Sequence, residues 1–341
     1  MKKILVTGGT GYIGSHTVVE LLNKAYEVVI IDDLSNSDIS VLDKIERITG
    51  ERPAFAQLDL RDIHSLQSFI SQHTDIQAVI HFAAKKAVGE SVEKPLLYYQ
   101  VNVGGMLNLL DALAEFKNMA FVFSSSCTVY GQPDHLPVAE DAPIKPAESP
   151  YGNTKQICEE ILRDYCAANK NFSTISLRYF NPVGAHASAL IGELPLGVPN
   201  NLVPFITQSA AGIRDAIRVF GNDYPTPDGT AIRDYIHITD LAKAHVKALE
   251  RIIHKQQQSQ YEFFNLGTGR GYSVLEVIHA FEQVSGLKLN YQISKRRAGD
   301  VEQIYADTRL AEQVLGWKAE LSLADMMSSA WKWQQQLKNQ V

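Results

Sequence analysis

One junction constrains what this chain can fold into more than any other: the apolar run "KILVT" passes directly into "GGTGYIGSH". Gly8, Gly9, Gly11 and Gly14 satisfy GxGxxG counted from Gly9 and GxxGxxG counted from Gly8. Glycines at this spacing permit a tight turn, close backbone approach to a pyrophosphate and close helix packing. The helix start that follows offers N–H groups and the positive end of a dipole. A glycine pattern alone says little, but this one lies between a strand and a helix, where anion binding requires it. It reads as a dinucleotide-binding loop.

The rest of the first half agrees with such a loop. Short β-branched runs ("EVVIID", "AVIHFA", "AFVFSSS") alternate with helical stretches ("YIGSHTVVELLNK", "LNLLDALAEF"). That alternation predicts an α/β fold, a doubly wound parallel sheet (Rossmann-like) with right-handed crossovers. The strands are apolar throughout, as expected when helices cover both faces. After "STISLRYFNPVG" the texture changes, with Pro182, Gly184, Gly192, Pro195, Gly197, Pro199 and Pro204 crowding a stretch of little periodicity. A boundary near Phe180 is therefore expected, with residues 1–180 as the dinucleotide domain and 181–341 as a smaller mixed α/β domain from which some elements return to the first. Helices are expected at "FITQSAAGIRDA", from near Asp240, at "SVLEVIHAFEQVSG" and at "LADMMSSAWKWQQQL", with a strand at "YEFFNLG".

Composition removes several function classes. The 341 residues carry a formal charge of -6, with no basic face for a phosphate backbone, so nucleic acid is not the expected partner. The apolar run after "MKK" is too short for a signal segment and nothing approaches a membrane span, so a cytoplasmic protein with no membrane partner is expected. Cys127, Cys158 and Cys166 are odd in number and lack CxxC spacing, which predicts reduced thiols and no metal site.

At the end of the second strand, "VVIIDDLSNS" presents Asp32 and Asp33, Asp32 lying eighteen residues past Gly14. A carboxylate there accepts hydrogen bonds from both adenine-ribose hydroxyls and repels a 2′-phosphate. No arginine follows in the loop, so NAD is favoured over NADP. Asp59 in "QLDLRD" ends the next strand and is a candidate adenine contact, although acidic strand ends are common.

"FVFSSSCTVYG" ends an apolar strand in Ser124, Ser125 and Ser126, at the carboxyl edge where ligands of such sheets bind. In "SPYGNTK", Ser149 and Pro150 look like a helix cap and first turn, which sets Tyr151 and Lys155 on one helix face. An adjacent ammonium and a cationic nicotinamide both favour the phenolate of such a tyrosine, which would make it a base for a sugar hydroxyl. Ser126 would hydrogen-bond the same oxygen and Lys155 the nicotinamide ribose. Tyr291 and Lys295 in "YQISK" repeat the spacing, but after an apparent strand far from any glycine loop, and read as an incidental match. His81 and His237 read as structural. Arg233 and Arg297 could clamp a diphosphate with forked hydrogen bonds, or Arg233 could form a surface ion pair with Asp234.

With these residues in place, the chain resembles the extended short-chain dehydrogenase/reductases, and within them the UDP-glucose 4-epimerase family. The resemblance runs over essentially the whole sequence, through "VTGGTGYIGSHT", "HFAAKKAVGESVEKPLLYY", "FSSSCTVYG", "SPYGNTK", "LRYFNPVGAH", "PNNLVPF", "FGNDYPTPDGTAIRDYIH" and "RRAGDV". It implies catalysis by Ser126, Tyr151 and Lys155, with Tyr151 taking the C4 hydroxyl proton of a UDP-sugar while hydride passes to one tightly held NAD. The 4-keto sugar then turns over and is reduced on its other face. Cofactor contacts implied by resemblance are Gly8, Gly11, Tyr12, Ile13, Gly14, Asp32, Asp33, Asn36, Ser37, Asp59, Leu60, Phe82, Ala83, Lys86, Asn102, Ser124, Tyr179 and Phe180, together with Tyr151 and Lys155. For the UDP-sugar they are Lys86, Ser126, Asn181, Asn201, Leu202, Phe220, Arg233, Tyr235, Arg297, Asp300 and Ile304, mostly in the second domain. A homodimer is implied too, through helices near "KPLLYYQVNVGGMLNLLDALAEF" and around Tyr151.

Two departures matter. A gatekeeper that is tyrosine in glucose- and galactose-restricted members falls on Ile304, whose smaller side chain would admit an N-acetyl group and so UDP-N-acetylglucosamine. Related 4,6-dehydratases carry an Asp-Glu pair after the catalytic hydroxyl, whereas Cys127 and Thr128 stand here and supply no carboxylate. Reductase relatives need NADPH, which Asp32 disfavours, and a non-catalytic cofactor-binding protein would have no use for Ser126, Tyr151, Lys155 and Arg233 together.

Overall fold

A computed structural model describes residues 2–296 and 301–338. In chain order the first elements are β1 (Lys3–Thr7), α1 (Tyr12–Asn23), β2 (Glu27–Asp32), α2 (Val41–Thr49), β3 (Ala54–Gln57), α3 (Ile63–Gln72) and β4 (Ile76–His81). Next are α4 (Val88–Glu93), α5 (Pro95–Tyr98), a π-helical stretch Tyr99–Gly104, α6 (Gly105–Ala112), β5 (Met119–Ser124), a 3-10 turn Cys127–Tyr130, α7 (Pro150–Ala168) and β6 (Phe172–Tyr179). The remainder comprises β7 (Asn181–Val183), α8 (Leu202–Ala210), β8 (Ile217–Phe220), β9 (Ile232–His237), α9 (Ile238–Ile253), β10 (Tyr261–Leu266), β11 (Gly271–Ser273), α10 (Val274–Ser285), β12 (Tyr291–Ser294), β13 (Gln303–Ile304) and α11 (Leu323–Lys338), with a second π-helical turn at Ala311–Leu315.

The chain forms two compact units that interleave in sequence. One comprises Met1–Gln132, Pro143–Arg178 and Ala242–Phe264, the other Pro133–Ala142, Tyr179–Leu241 and Asn265–Val341. The first unit is built on a seven-stranded sheet ordered β10-β6-β5-β4-β1-β2-β3. Each pairing from β3 to β6 is parallel. At the edge, Thr174 N donates to Gln260 O and Phe180 N to Leu266 O, so β10 and β6 ascend together. The strand expected at "YEFFNLG" thus joins this sheet rather than the second domain, because its residues complete the open edge of β6.

Helices on both faces require strands without a wet side, and the strands comply: β5 is buried at every position and β2 at all but its first. Leu5, Val29, Val79, Phe121 and Phe123 pack with Leu109 and Leu110 of α6 and Leu162 of α7 in one continuous cluster. Each large apolar side chain buried there contributes about 1.5–3 kcal/mol relative to exposure. Cys158 and Cys166 belong to this core and Cys127 is half-buried, all three as free thiols.

The second unit has its own core, in which Val203, Ile206, Ile217, Val219, Val277, Phe281 and Met326 meet. Its sheet runs β11-β9-β13 with β7 also on β9, beside a separate parallel pair of β12 and β8. The helix expected over "FITQSAAGIRDA" lies earlier, at Leu202–Ala210, because Gly212 at φ +77° ends the turn that follows it. α10 starts with a capping box, Ser273 Oγ accepting from Glu276 N at 3.0 Å and Glu276 Oε2 from Ser273 N at 2.7 Å. Among the described residues no helix is long and apolar enough to cross a membrane.

Candidate active site

Strand order reverses between β1 and β4, and ligands of open α/β sheets bind at the carboxyl ends of strands at such a switch point. The glycine loop lies there. Gly8 has φ +71°, and a Cβ on it would stand 2.7 Å from Ala83 N beyond β4, while one on Gly14 would stand 2.2 Å from Gly8 O. Both positions therefore exclude side chains. Gly11 caps α1 without a side-chain hydrogen bond, and the first turn holds no acidic residue, so nothing charged competes with an anion at the helix start. Asp32 is buried and ties the loops together. Its Oδ2 accepts from Thr10 N at 3.1 Å, and its Oδ1 from Leu34 N and Ser37 Oγ, both at 3.0 Å. A carboxylate has about four lone-pair sites, so Oδ2 keeps capacity for a ribose hydroxyl. These features fit NAD. Asp33 instead caps Ser35 N at 2.9 Å, and Asp59 forks with Arg61, a pairing that lowers its pKa.

The hydroxyl, phenol and ammonium predicted for catalysis come from the turn after β5 and from α7, both in the first unit. Ser149 Oγ accepts from Gly152 N at 3.2 Å and Pro150 occupies the first turn, so the helix begins where Tyr151 is needed. Lys155 is buried, and its Nζ donates to the Ser124 carbonyl at 2.7 Å. The same Nζ lies 6.0 Å from the Tyr151 ring centre and 4.7 Å from that of Phe123. Burial pushes the Lys155 pKa down to about 8, opposed by the negative charge of Glu159. Ser126 Oγ accepts from Thr128 N at 3.2 Å and Thr128 Oγ1 at 3.0 Å, which leaves its own proton to give. Thr128 was not anticipated as a functional residue. The signal was present in the hydroxyl two residues after a strand-ending serine, the spacing of an ST turn.

Asn102 is anchored within the first unit. It sits in the π-helical stretch, where its Oδ1 accepts from Lys85 N at 2.8 Å and its Nδ2 donates to Lys85 O and Thr154 Oγ1, both at 3.0 Å. The side chain holds the loop before Lys86 against α7, and its buried amide finds partners there. Lys86 itself lies 5.9 Å from the Tyr12 ring centre. Tyr12 and Ile13 form the first turn of α1, Asn36 lies beside Ser37 in the loop after β2, and Leu60 is buried against Gly105. Phe82 and Ala83 follow β4, with Phe82 N bonded to Thr7 O at 2.9 Å.

The second unit brings together four of the predicted substrate residues by register. Asn181 of β7 stands opposite Tyr235 of β9, and Ile304 of β13 opposite Arg233. Arg233 and Tyr235 are two apart on one strand, so all four share a sheet face. The Arg233–Asp234 ion pair is ruled out. Asp234 is wholly buried, accepting from Thr268 N and Oγ1, Gly269 N and Ala306 N, and Arg233 Nη1 donates to Ile232 O at 2.8 Å. Asn201 donates to Glu193 at 2.7 Å just before Leu202 opens α8, and Phe220 is the exposed end of β8. Tyr179 and Phe180 open the second segment of this unit, Phe180 being buried. Arg297 and Asp300 lie outside the described residues.

The decoys separate clearly. Tyr291 opens strand β12 and Lys295 follows its end, so that pair has no helix face. His81 Nδ1 meets Thr7 Oγ1 at 2.7 Å, and burial with the charge of Lys155 pushes its pKa down to about 3. His237 accepts from Thr239 N through Nδ1 at 3.1 Å, so its Nε2 carries the proton toward Ser329 Oγ at 3.0 Å.

Comparison with known proteins agrees with this geometry. The family model described as GDP-mannose 4,6 dehydratase matches residues 5–330. A UDP-glucose 4-epimerase of Drosophila melanogaster is 50% identical over 342 residues, covering 98% of this chain and 97% of its own. The crystal structure of UDP-glucose-4-epimerase from Stenotrophomonas maltophila, with bound NAD and formylated UDP-arabinopyranose, superposes with TM-score 0.95 at 49% identity over 100% of both chains. The UDP-Glc/GlcNAc 4-epimerase of Campylobacter jejuni gives TM-score 0.84 at 35% identity, covering 98% of this chain and 100% of its own. The glycine loop, the serine-tipped strand and the tyrosine–lysine helix are therefore those of a family member: this chain belongs to the UDP-glucose 4-epimerase family.

Proposed function

We propose that the chain is an NAD-dependent UDP-glucose 4-epimerase that interconverts UDP-glucose and UDP-galactose through a 4-keto sugar, serving galactose metabolism and UDP-sugar supply. The observation that carries this reading is the buried Lys155 ammonium, held by the end of a serine-tipped strand on the helix that also bears Tyr151. The first unit is the NAD-binding part, through Gly8, Gly11, Gly14 and Asp32. The second is the UDP-sugar part, through Asn181, Arg233, Tyr235 and their neighbours.

Tyr151 takes the proton of the C4 hydroxyl as phenolate and returns it at the end of the cycle. Ser126, its lone pairs engaged by Thr128, donates to the same oxygen and holds it in place. The charge of Lys155 favours the phenolate. NAD, when bound, supplies the hydride acceptor and donor that makes the cycle redox-neutral. Arg233 anchors the diphosphate, so the sugar can turn while binding energy comes from the nucleotide. A 4,6-dehydration would need carboxylates where Cys127 and Thr128 stand, and the Thr128 side chain already serves Ser126.

Two finer readings accompany this one. Ile304, opposite Arg233 in the ladder, lacks the bulk of a tyrosine, and we extend the substrate range to UDP-N-acetylglucosamine. Val88, Val92, Leu96 and Leu107 leave apolar side chains exposed on α4, α5 and α6, Leu96 at 74%, and we assign this face to a homodimer.

Purified protein interconverts UDP-galactose and UDP-glucose without added NAD, and Tyr151→Phe abolishes turnover while UDP binding persists; a protein with NAD bound that acts on neither sugar contradicts the assignment. The kcat falls as pH rises through about 8, where Lys155 loses its proton. Unfolding does not cause that fall: between about 8 and its ordinary range Lys155 is neutral when folded and charged when unfolded, so its contribution to stability rises with pH. A urea midpoint that rises across the window while kcat drops checks both statements. Ile304→Tyr lowers kcat/KM for the N-acetyl substrate by about tenfold or more and spares UDP-glucose, and unchanged selectivity rejects the steric role. Sedimentation shows a dimer that Leu96→Glu converts to monomer, and a native monomer disproves the interface.

A further inference from the structure

A second buried charge lies beside the catalytic one and has no part in the reaction above. Glu159 is four residues beyond Lys155 on α7, on the same helix face, and both are buried. Ser125 Oγ donates to Glu159 Oε1 at 2.5 Å. From the end of β6, Arg178 forks onto the same carboxylate, with Nε 3.0 Å from Oε1 and Nη2 2.6 Å from Oε2. Its remaining arm reaches Tyr130 OH at 3.0 Å, and its guanidinium lies over the rings of Phe263 at 4.2 Å and Tyr130 at 4.9 Å.

A buried ion pair is poor evidence for stability, since apolar residues of similar volume do as well once desolvation is counted. Geometry suggests what the pair achieves instead. The three serines at the end of β5 face three different tasks: the Ser124 carbonyl receives Lys155, the Ser125 hydroxyl receives Glu159, and Ser126 carries the reactive hydroxyl. Lys155 and Glu159 are thus two rungs, one helical turn apart, between α7 and this strand end. The Ser125 backbone is fixed as well, its N–H bonded to Leu177 O at 2.9 Å, one residue before Arg178.

We propose that Glu159, braced by Arg178, is a positioning residue for the reaction: through the Ser125 hydroxyl it locks the end of β5 to α7, so that Lys155 and Ser126 are presented to Tyr151 in fixed register. The negative charge of Glu159 also opposes the effect of burial on Lys155 and so helps keep it protonated. The inference rests on the epimerase reading, but the two can fail separately.

Glu159→Ala would leave Arg178 buried without its counter-ion and cost the fold itself. The informative variant is Ser125→Ala, which removes one rung and leaves the Glu159–Arg178 fork in place. In NAD-loaded protein its kcat falls about tenfold, as small misplacements of reacting groups do, while KM changes by less than about twofold. The phenolate absorbance of Tyr151, read as native minus Tyr151→Phe, titrates at higher pH in the variant because the ammonium is no longer held in register. Ser125→Thr, which keeps the hydroxyl, recovers most of the lost kcat. A Ser125→Ala protein with native kcat and native phenolate titration overturns the proposal, as does an activity loss that follows only a lower melting temperature with the titration unmoved. If the native protein epimerises neither sugar, the functional reading fails while the titration still decides the brace.

Discussion

An ammonium in the protein interior is costly unless something answers it, and in this chain the carbonyl at the end of β5 does. The hydrogen bond from Lys155 to Ser124 fastens a helix to the tip of a fully buried strand. Burial still lowers the lysine pKa to about 8, equivalent to about 3 kcal/mol against its charged form. Retaining such a group makes sense where its charge is used, and in the proposed reaction Tyr151, one turn earlier on the same helix, is where it is used.

The surrounding polar groups work outward from that bond. Thr128 sets the Ser126 hydroxyl, Glu159 and Arg178 grip Ser125, and Asn102 holds Thr154, which in turn donates to the Tyr151 carbonyl at 2.7 Å. Each is buried or nearly so and has its partners, as low-dielectric surroundings demand. The second unit uses the same device at Asp234, where one carboxylate accepts from two chain segments.

Much of this was legible in the residues. The glycine loop, the acidic end of β2, the serine-tipped strand and the capped tyrosine–lysine helix are local patterns with local physics, and each lies where its pattern predicts. Other features were not legible because they depend on partners distant in sequence. "YEFFNLG" is an apolar run whose sheet depends on an open edge nearly ninety residues earlier. Whether Arg233 pairs with Asp234 stayed open in the sequence, and in the fold Thr268, Gly269 and Ala306 take the carboxylate. Asn102 ties Lys85 to Thr154, a link between residues that sequence spacing does not show.

The sequence by itself determined the parallel strands of the first half, the glycine loop and the chemical kinds of group available for catalysis, because periodicity, glycine sterics and helix capping act over a few residues. Only the tertiary structure decided which polar groups meet: that Lys155 reaches Ser124, that Glu159 and Arg178 close on Ser125, and that Ile304 stands opposite Arg233. Hydrogen bonds between buried groups reach about 3 Å, and sequence spacing carries no information at that range until the chain has folded.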